Sequence, residues 1–334
     1  MTTTAFGLRY VTNVGFCADF GGRGFQLPIS MAIRSDGVIF VASRGRPSTS
    51  KLPTGIQMVT RDHEFLGQIG NHGSELGNMI WPTCITLDSN ENLYLADEYL
   101  HRITIFDREG NPVSKWGEKG ADEGQFNQPS GLLVKGDVIY VVDSGNHRIQ
   151  KYTLQGEFIS QWGSPGDQDG EFNLPWGICQ DSEGQLYVAD WRNDRIQKFS
   201  ADGEHIMTIG GHGGATKFNR PSDVVVDSEG NIYVTDWGSQ RLLVLDSAGG
   251  LLETKRGEAD LNPWSLEYLA AQSDERKARE SFVPIYEADT DDPSEVSARM
   301  EPYFWDPVSV ELDAQGRVYV LETGRYRFQI FERK

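Results

Sequence analysis

One pattern recurs in this chain often enough to dictate its architecture. Ten-residue segments that open on Asp and carry Arg five positions on occur four times: DEYLHRITIF from Asp97, DSGNHRIQKY from Asp143, DWRNDRIQKF from Asp190 and DWGSQRLLVL from Asp236. A Pro and then an aromatic residue precede each of these segments, and the same Pro and aromatic recur in two further units. The prolines are Pro28, Pro82, Pro129, Pro175, Pro221 and Pro307, matched by Phe40, Tyr94, Tyr140, Tyr187, Tyr233 and Tyr319. Through the middle of the chain the period is about 46 residues, the length of a four-stranded propeller blade. In the fourth unit the strands read WGICQD, QLYVAD, RIQKFS and HIMTIG, with SEG, WRN and ADG between them. Gly in such turns accepts the positive φ that tight connections need.

The repeat overrules the prior that 334 residues make two or three domains, because repeat folds run long as one unit. Six copies of the first three strands can be counted. The chain stops after RFQIFERK, a third strand, whereas LRYVTNVG near the start resembles the fourth strands FISQWG and HIMTIG. The N-terminal strand is therefore predicted to complete the last blade and close the ring, which removes two exposed sheet edges. The expected fold is all-β: one domain over 1–334, a six-bladed β-propeller. A helical insertion is expected over 258–304, between blades 5 and 6. In it Asn262 is an N-cap with Pro263 at the first helical position, and Asp292 with Pro293 repeats the device. Trp264, Tyr268 and Ala271 are predicted to share one helical face.

These residues resemble the NHL repeat family, whose F-x-x-P, Y-V-x-D and N-x-R-I-x-x-F elements appear here as FNLPWG, LYVAD and NDRIQKF. The resemblance implies a propeller and leaves function open, since NHL propellers include lyases, RNA binders and interaction scaffolds. Amidating-lyase relatives place His after the Pro to bind zinc, but here those positions are Ile29, Thr83, Ser130, Trp176, Ser222 and Val308. Lactonase relatives hold a divalent metal with a Glu near the first blade, and Gln26-Leu27-Pro28 offers none. No cofactor is expected; calcium or magnesium held by carboxylates, with Asp223 as one ligand, stays open. By fold-level analogy, strictosidine synthase uses one Glu in an aromatic-lined pocket.

In a propeller, the connection between second and third strands opens on the same face as the connection between blades. Tyr99, Trp191 and Trp237 fall in the first kind of connection, while Trp81, Trp176 and Trp305 flank the start of innermost strands. With Trp264 of the insertion and Arg44 of the first blade, they are the candidate ligand-binding residues. The alternative is that the rings pack blade against blade; Trp116 and Trp162, on fourth strands, read as packing. The candidate catalytic acids are departures from the repeat: Glu322 where four blades have Asp, and Asp223 and Glu311 on inner strands otherwise small or apolar. A carboxylate partly desolvated by aromatics has a raised pKa and suits acid–base work. For each acid the alternative is a rim salt bridge, with Arg325 and Arg327 close in sequence. The insertion would form a lid or pocket wall beside them. His101 and His147, just before the repeat Arg, read as solvated turn residues.

A formal net charge of −18 repels nucleic acid and anionic membrane surfaces and favours cationic ligands. Cys17, Cys84 and Cys179 lack C-x-x-C spacing and suit a reducing, cytoplasmic setting; the N-terminus shows no signal-peptide pattern. Two functions are weighed. One is a small-molecule site with carboxylate acid–base chemistry of lyase, hydrolase or cyclase type, on an organic, cationic substrate. The other is a non-catalytic scaffold for a protein or peptide partner.

Overall fold

The computed structural model describes residues 6–17, 23–45, 54–281 and 290–334. Arg46 and Lys51 of the enlarged first-blade turn, and residues 287–289 of the acidic EADTDD link, lie outside the described residues. Six four-stranded antiparallel sheets stand in a ring. The inner strands Pro28–Ile33, Pro82–Leu87, Pro129–Lys135, Pro175–Gln180, Pro221–Val226 and Pro307–Leu312 each pack on the next, and the last packs back on the first. The N-terminal strand Leu8–Val14 pairs antiparallel with the C-terminal strand Arg327–Arg333, so both chain ends lock one blade. Second strands such as Leu186–Asp190 are buried at every residue because neighbouring blades cover both faces. Outermost strands such as Pro112–Trp116 are largely exposed. Trp116 and Trp162 pack as read: Trp116 lies 4.8 Å from Tyr152, and Trp162 lies 6.2 Å from Phe199, centroid to centroid.

The Asp–Arg pair is a structural clasp. Asp190 Oδ2 accepts from Arg195 Nε at 2.8 Å and from Asn193 and Gln197, while its Oδ1 accepts from Asn173 N–H. Arg195 in turn donates to the carbonyls of Asp167, Gln168 and Glu171 in the linker that enters the blade. Asp143/Arg148 repeats this arrangement, and Asp236/Arg241 keeps its core. Blade 2 differs. Asp97 accepts from the N–H groups of Ile80, Trp81, Tyr99 and Leu100, and Arg102 donates only to linker carbonyls. The cause is local: Leu100 and Thr104 stand where blades 3 and 4 have Asn and Gln, so the backbone takes the carboxylate instead.

A second device joins neighbouring blades. His101, His147, Asp194 and Gln240 sit at φ between 51° and 55°, and so do Gln128, Leu174, Arg220 and Asp306 within a few degrees. The first set accepts from the second: Gln128 N–H donates to His101 Nδ1, Leu174 N–H to His147 Nδ1, Arg220 N–H to Asp194 Oδ1 and Asp306 N–H to Gln240 Oε1. His101 and His147 are therefore latches between blades rather than solvated turn residues. The hydroxyls of Thr83, Ser130 and Ser222, in the column where zinc-binding relatives carry His, donate to Pro129, Pro175 and Pro307 carbonyls of the next blade.

The insertion holds three helices among the described residues: Pro263–Ala271, Ser273–Glu280 and Pro293–Arg299. Asn262 and Asp292 cap the first and third as their sequence suggests. The buried face of the first helix is Trp264 and Leu269, with Ala271 exposed, so the face is turned from the one predicted. Trp264 Nε1 donates to the His63 carbonyl in the turn between third and fourth strands of blade 1, and its ring packs on Phe25 and Phe65. That turn lies at the opposite end of the ring, so this helix runs down the side, and its Tyr268 and Leu269 wall a cavity of about 350 Å³ with Trp305, Gly324 and Arg325 of blade 6. The third helix reaches the mouth, where it packs on the turn Trp237–Ser239 and takes Arg325 at its Ser297 and Ala298 carbonyls.

Asp143→Ala is expected to lower unfolding free energy by about 1–3 kcal/mol in denaturant melts, because Arg148 and Asn127 N–H lose a buried acceptor. The His101 latch requires a neutral ring, and burial, with Lys119 adding to it, lowers its pKa below the ordinary 6.5. The unfolded chain then binds more protons, so this stability is whole above pH 6.5 and is lost as pH falls below it. A His101→Gln variant should show a flatter stability profile between pH 7 and pH 5, measured by thermal melts at each pH (a range of about two units around the usual His value).

Candidate functional site

The channel mouth on the insertion-bearing face carries a row of indole rings. Trp176 and Trp191 lie 6.4 Å apart and Trp191 and Trp237 lie 6.2 Å apart, centroid to centroid. All three are half-buried. Trp176 starts the inner strand of blade 4, whereas Trp191 and Trp237 open the one-turn helices that follow Asp190 and Asp236, so the clasp fixes where their rings stand. The row carries cations of the chain itself. The Arg220 guanidinium sits 5.2 Å from the Trp191 centroid and 5.9 Å from that of Trp237; Arg192 sits 5.4 Å from Trp191. Elsewhere on the rim Arg44 covers Trp81 at 4.9 Å and Arg325 covers Trp305 at 5.2 Å.

Trp176 also lines the channel cavity, which has a volume of about 140 Å³ and is shared with Asp223, Glu311, Cys84 and Cys179. Asp223 is half-buried and opens on that space. Its carboxylate accepts from Val224 N–H at 2.9 Å and Val310 N–H at 3.0 Å, spanning two blades. It leans across Gly177, where an added Cβ would lie 2.3 Å from Oδ1. Desolvation outweighs both hydrogen bonds and raises its pKa to about 7. Glu311, one blade on, is pushed up by desolvation and by the Asp223 charge. The same two causes hold the thiol of Cys84 up at about 12 and raise that of Cys179, so neither is a thiolate near neutrality.

Besides Trp81 and Trp305, four sequence candidates do not join this group. Glu322 is fully buried; it accepts from Arg327 Nε at 2.9 Å, from Gln329 and from Trp305 N–H. It is blade 6's version of the clasp, with Arg five residues on, and belongs to the frame rather than to the channel. Trp264 is sealed against blade 1, as described above. Tyr99 is 65% exposed and stacks on no other ring among the described residues. Arg44 is tied down by Trp81, by the Pro82 carbonyl and by Glu98 at 3.5 Å. The sequence reading missed Arg192 and Arg220. Arg220 occupies the column before the Pro, where the other blades have Leu27, Trp81, Gln128, Leu174 and Asp306, and that variation was the available signal. Among the described residues no group of three or more His, Cys, Asp or Glu is placed to hold a metal ion, and no helix is long and apolar enough to cross a membrane.

The family model of the NHL repeat matches residues 126–152, 172–199 and 218–245. Each matched segment runs from a buried linker Phe to the end of a third strand, covering Pro, Asp and Arg. The chain is a six-bladed propeller that carries the NHL repeat in three of its blades. Solved structures similar to it include a streptogramin B lyase, 10% identical over 99% of this chain and 98% of that one, with a TM-score of 0.58. The virginiamycin B lyase of Staphylococcus aureus is 12% identical over 98% and 99%, with a TM-score of 0.57. A Bacteroides thetaiotaomicron protein of unknown function is 16% identical over 99% of this chain and 76% of that one, with a TM-score of 0.64. At these identities the likeness is one of fold.

The Asp223 pKa gives this NHL propeller a testable pH signature. A carboxyl raised from 3.8 to about 7 keeps its proton longer in the folded state. Its contribution is whole below pH 3.8 and is lost as pH rises through about 7. Asp223→Asn should therefore gain stability relative to wild type as pH rises across that window, in paired thermal melts. A constant difference across the window would show that Asp223 is already ionised at the low end.

Proposed function

We propose that this propeller binds an organic small molecule across the Trp176–Trp191–Trp237 row and acts on one end of it by proton transfer from or to Asp223. The observation that carries the proposal is that Trp176 belongs to both places: it ends the aromatic row and walls the cavity that holds Asp223. A cavity of about 140 Å³ is below the usual range for a whole ligand, about 300–1,000 Å³. The body of the substrate would therefore lie on the indoles and a substituent would enter the channel. A carboxyl with pKa about 7 that faces that substituent is matched to general acid–base work near neutrality. Glu311 lines the same cavity, and desolvation together with the Asp223 charge pushes its own pKa up, so it favours its neutral form there. The likeness to streptogramin B lyase and virginiamycin B lyase favours a lyase among the reaction types such chemistry serves.

A second reading, a non-catalytic scaffold for a protein or peptide, is favoured by the make-up of the face, where three indoles and two arginines stand together. Half-buried tryptophans and arginine suit the centre of a protein interface as well as they suit a ligand.

A metabolite library screened by thermal shift, with and without calcium or magnesium, tests the first reading. Hits should lose about 1–3 kcal/mol of binding on Trp191→Ala or Trp237→Ala, the scale of a removed aromatic contact, while both variants keep the wild-type melting profile without ligand. Asp223→Asn should retain binding and abolish turnover of any hit that is converted. Unfolded tryptophan variants, or hits indifferent to them, would place the site elsewhere.

A further inference from the structure

Composition argues for cationic ligands, yet at the Trp191 end of the mouth two arginines stand together. Arg192 and Arg220 both place their guanidinium on Trp191, at 5.4 Å and 5.2 Å from its centroid, and both residues are exposed. Among the described residues neither has a carboxylate within 4.0 Å, in a chain with 49 acidic residues. The nearest candidate in sequence, Asp194, turns its carboxylate to the Arg220 backbone N–H instead. Cation–π attraction fixes two like charges on one ring and leaves their N–H edges without an anionic partner. The backbone beneath is rigid: Arg220 is held at φ 55° by the blade latch, and Arg192 lies in the one-turn helix 191–193 that the clasp anchors.

We infer that the mouth is an anion-selecting site, and that its ligand is an organic anion with a planar body, its charged group on Arg192 and Arg220 and its body along Trp191 and Trp237. The inference rests on the small-molecule reading above and corrects its substrate class from cationic to anionic, because the ring faces that would take a cation already hold the chain's own. A carboxylate or comparable oxyanion matches the fork of the guanidinium edges.

The test uses three probes of one shape: 2-naphthoate, 2-naphthamide and 2-naphthylmethylammonium, titrated into the full chain and followed by tryptophan fluorescence and calorimetry. Naphthoate should bind about 10-fold or more tightly than the amide, the scale of a charge-assisted contact, and the ammonium should bind weakest. Arg220→Gln should remove most of that preference. Gln is the residue blade 3 has at this position, Gln128, so the backbone accepts it. The double variant Arg192→Gln/Arg220→Gln should bind naphthoate and naphthamide alike and still bind both, since the indoles remain. Equal or tighter binding of the ammonium by wild type overturns the anion inference and leaves the small-molecule reading standing. Failure of all three probes to bind at millimolar concentration removes both. Naphthoate preference that survives the double variant assigns the charge recognition to another part of the face and overturns the role given to these arginines.

Discussion

The buried clasp between a carboxylate and the arginine five residues on is the interaction on which this ring depends. The linkers between blades are irregular, and a buried carbonyl without a strand partner must find a donor elsewhere. Arg148 supplies donors to Ala121, Asp122 and Gln125, and Arg195 does so for Asp167, Gln168 and Glu171. The charge this buries is met by Asp143 and Asp190, which also take the first N–H groups of the next inner strand's approach, at Asn127 and Asn173. One pair thus satisfies both polarities of a segment that has no sheet of its own. Glu322 shows the tolerance of the device. Its extra methylene still reaches Arg327, with Gln329 and Trp305 N–H completing the set.

Because the clasp and the left-handed latch fix backbone positions around the mouth, side chains there can vary without moving the frame. The residue before the Pro is Leu27, Gln128, Leu174, Arg220 or Asp306 on the same left-handed backbone, and Trp81 in blade 2, where Asp97 takes its N–H instead. The same holds inside the channel. The inner-strand column that contains Ser30, Cys84, Gly131, Gly177, Asp223 and Ser309 mixes hydroxyl, thiol, hydrogen and carboxyl. Ser30 and Cys84 each accept from a backbone N–H one blade on, and Asp223 does the same for Val310. Asp223 therefore also holds a structural post. Its neighbour Gly177 leaves room for a second oxygen, and a carboxylate in so dry a place holds its proton to about neutral pH.

The fold was legible because a period near one blade length is a long-range signal written locally. Pro, Tyr, Asp and Arg each mark one point of a blade, and Leu8–Val14 resembled the missing fourth strand closely enough to predict closure. Asn262-Pro263 and Asp292-Pro293 announced their helices for the same reason: caps act over three residues. What failed was whatever depended on three-dimensional neighbours. The helix 263–271 buries Trp264 and Leu269 because blade 1 lies beside it, which no local pattern records. Glu322 looked like a departure from the repeat although Arg327 still stood five residues on, and the preserved partner was the better guide. Arg192 and Arg220 belong to different blades and meet only on Trp191.

The same contrast between local and global governs charge at the mouth. A formal net charge of −18 suggests repulsion of anions, but screening at physiological ionic strength acts over about 8 Å. A ligand lying on Trp191 is within van der Waals reach of two guanidinium groups, whereas most of the 49 acids are spread over outer turns and the insertion. The long-range field then lowers the rate at which an anion arrives, and the local pair sets how firmly it stays. Asp223 lies beyond, in the channel, where desolvation raises its pKa to about 7 and disfavours a second negative charge. An anion on the indoles raises that proton affinity further, so binding at the mouth and protonation in the channel favour each other.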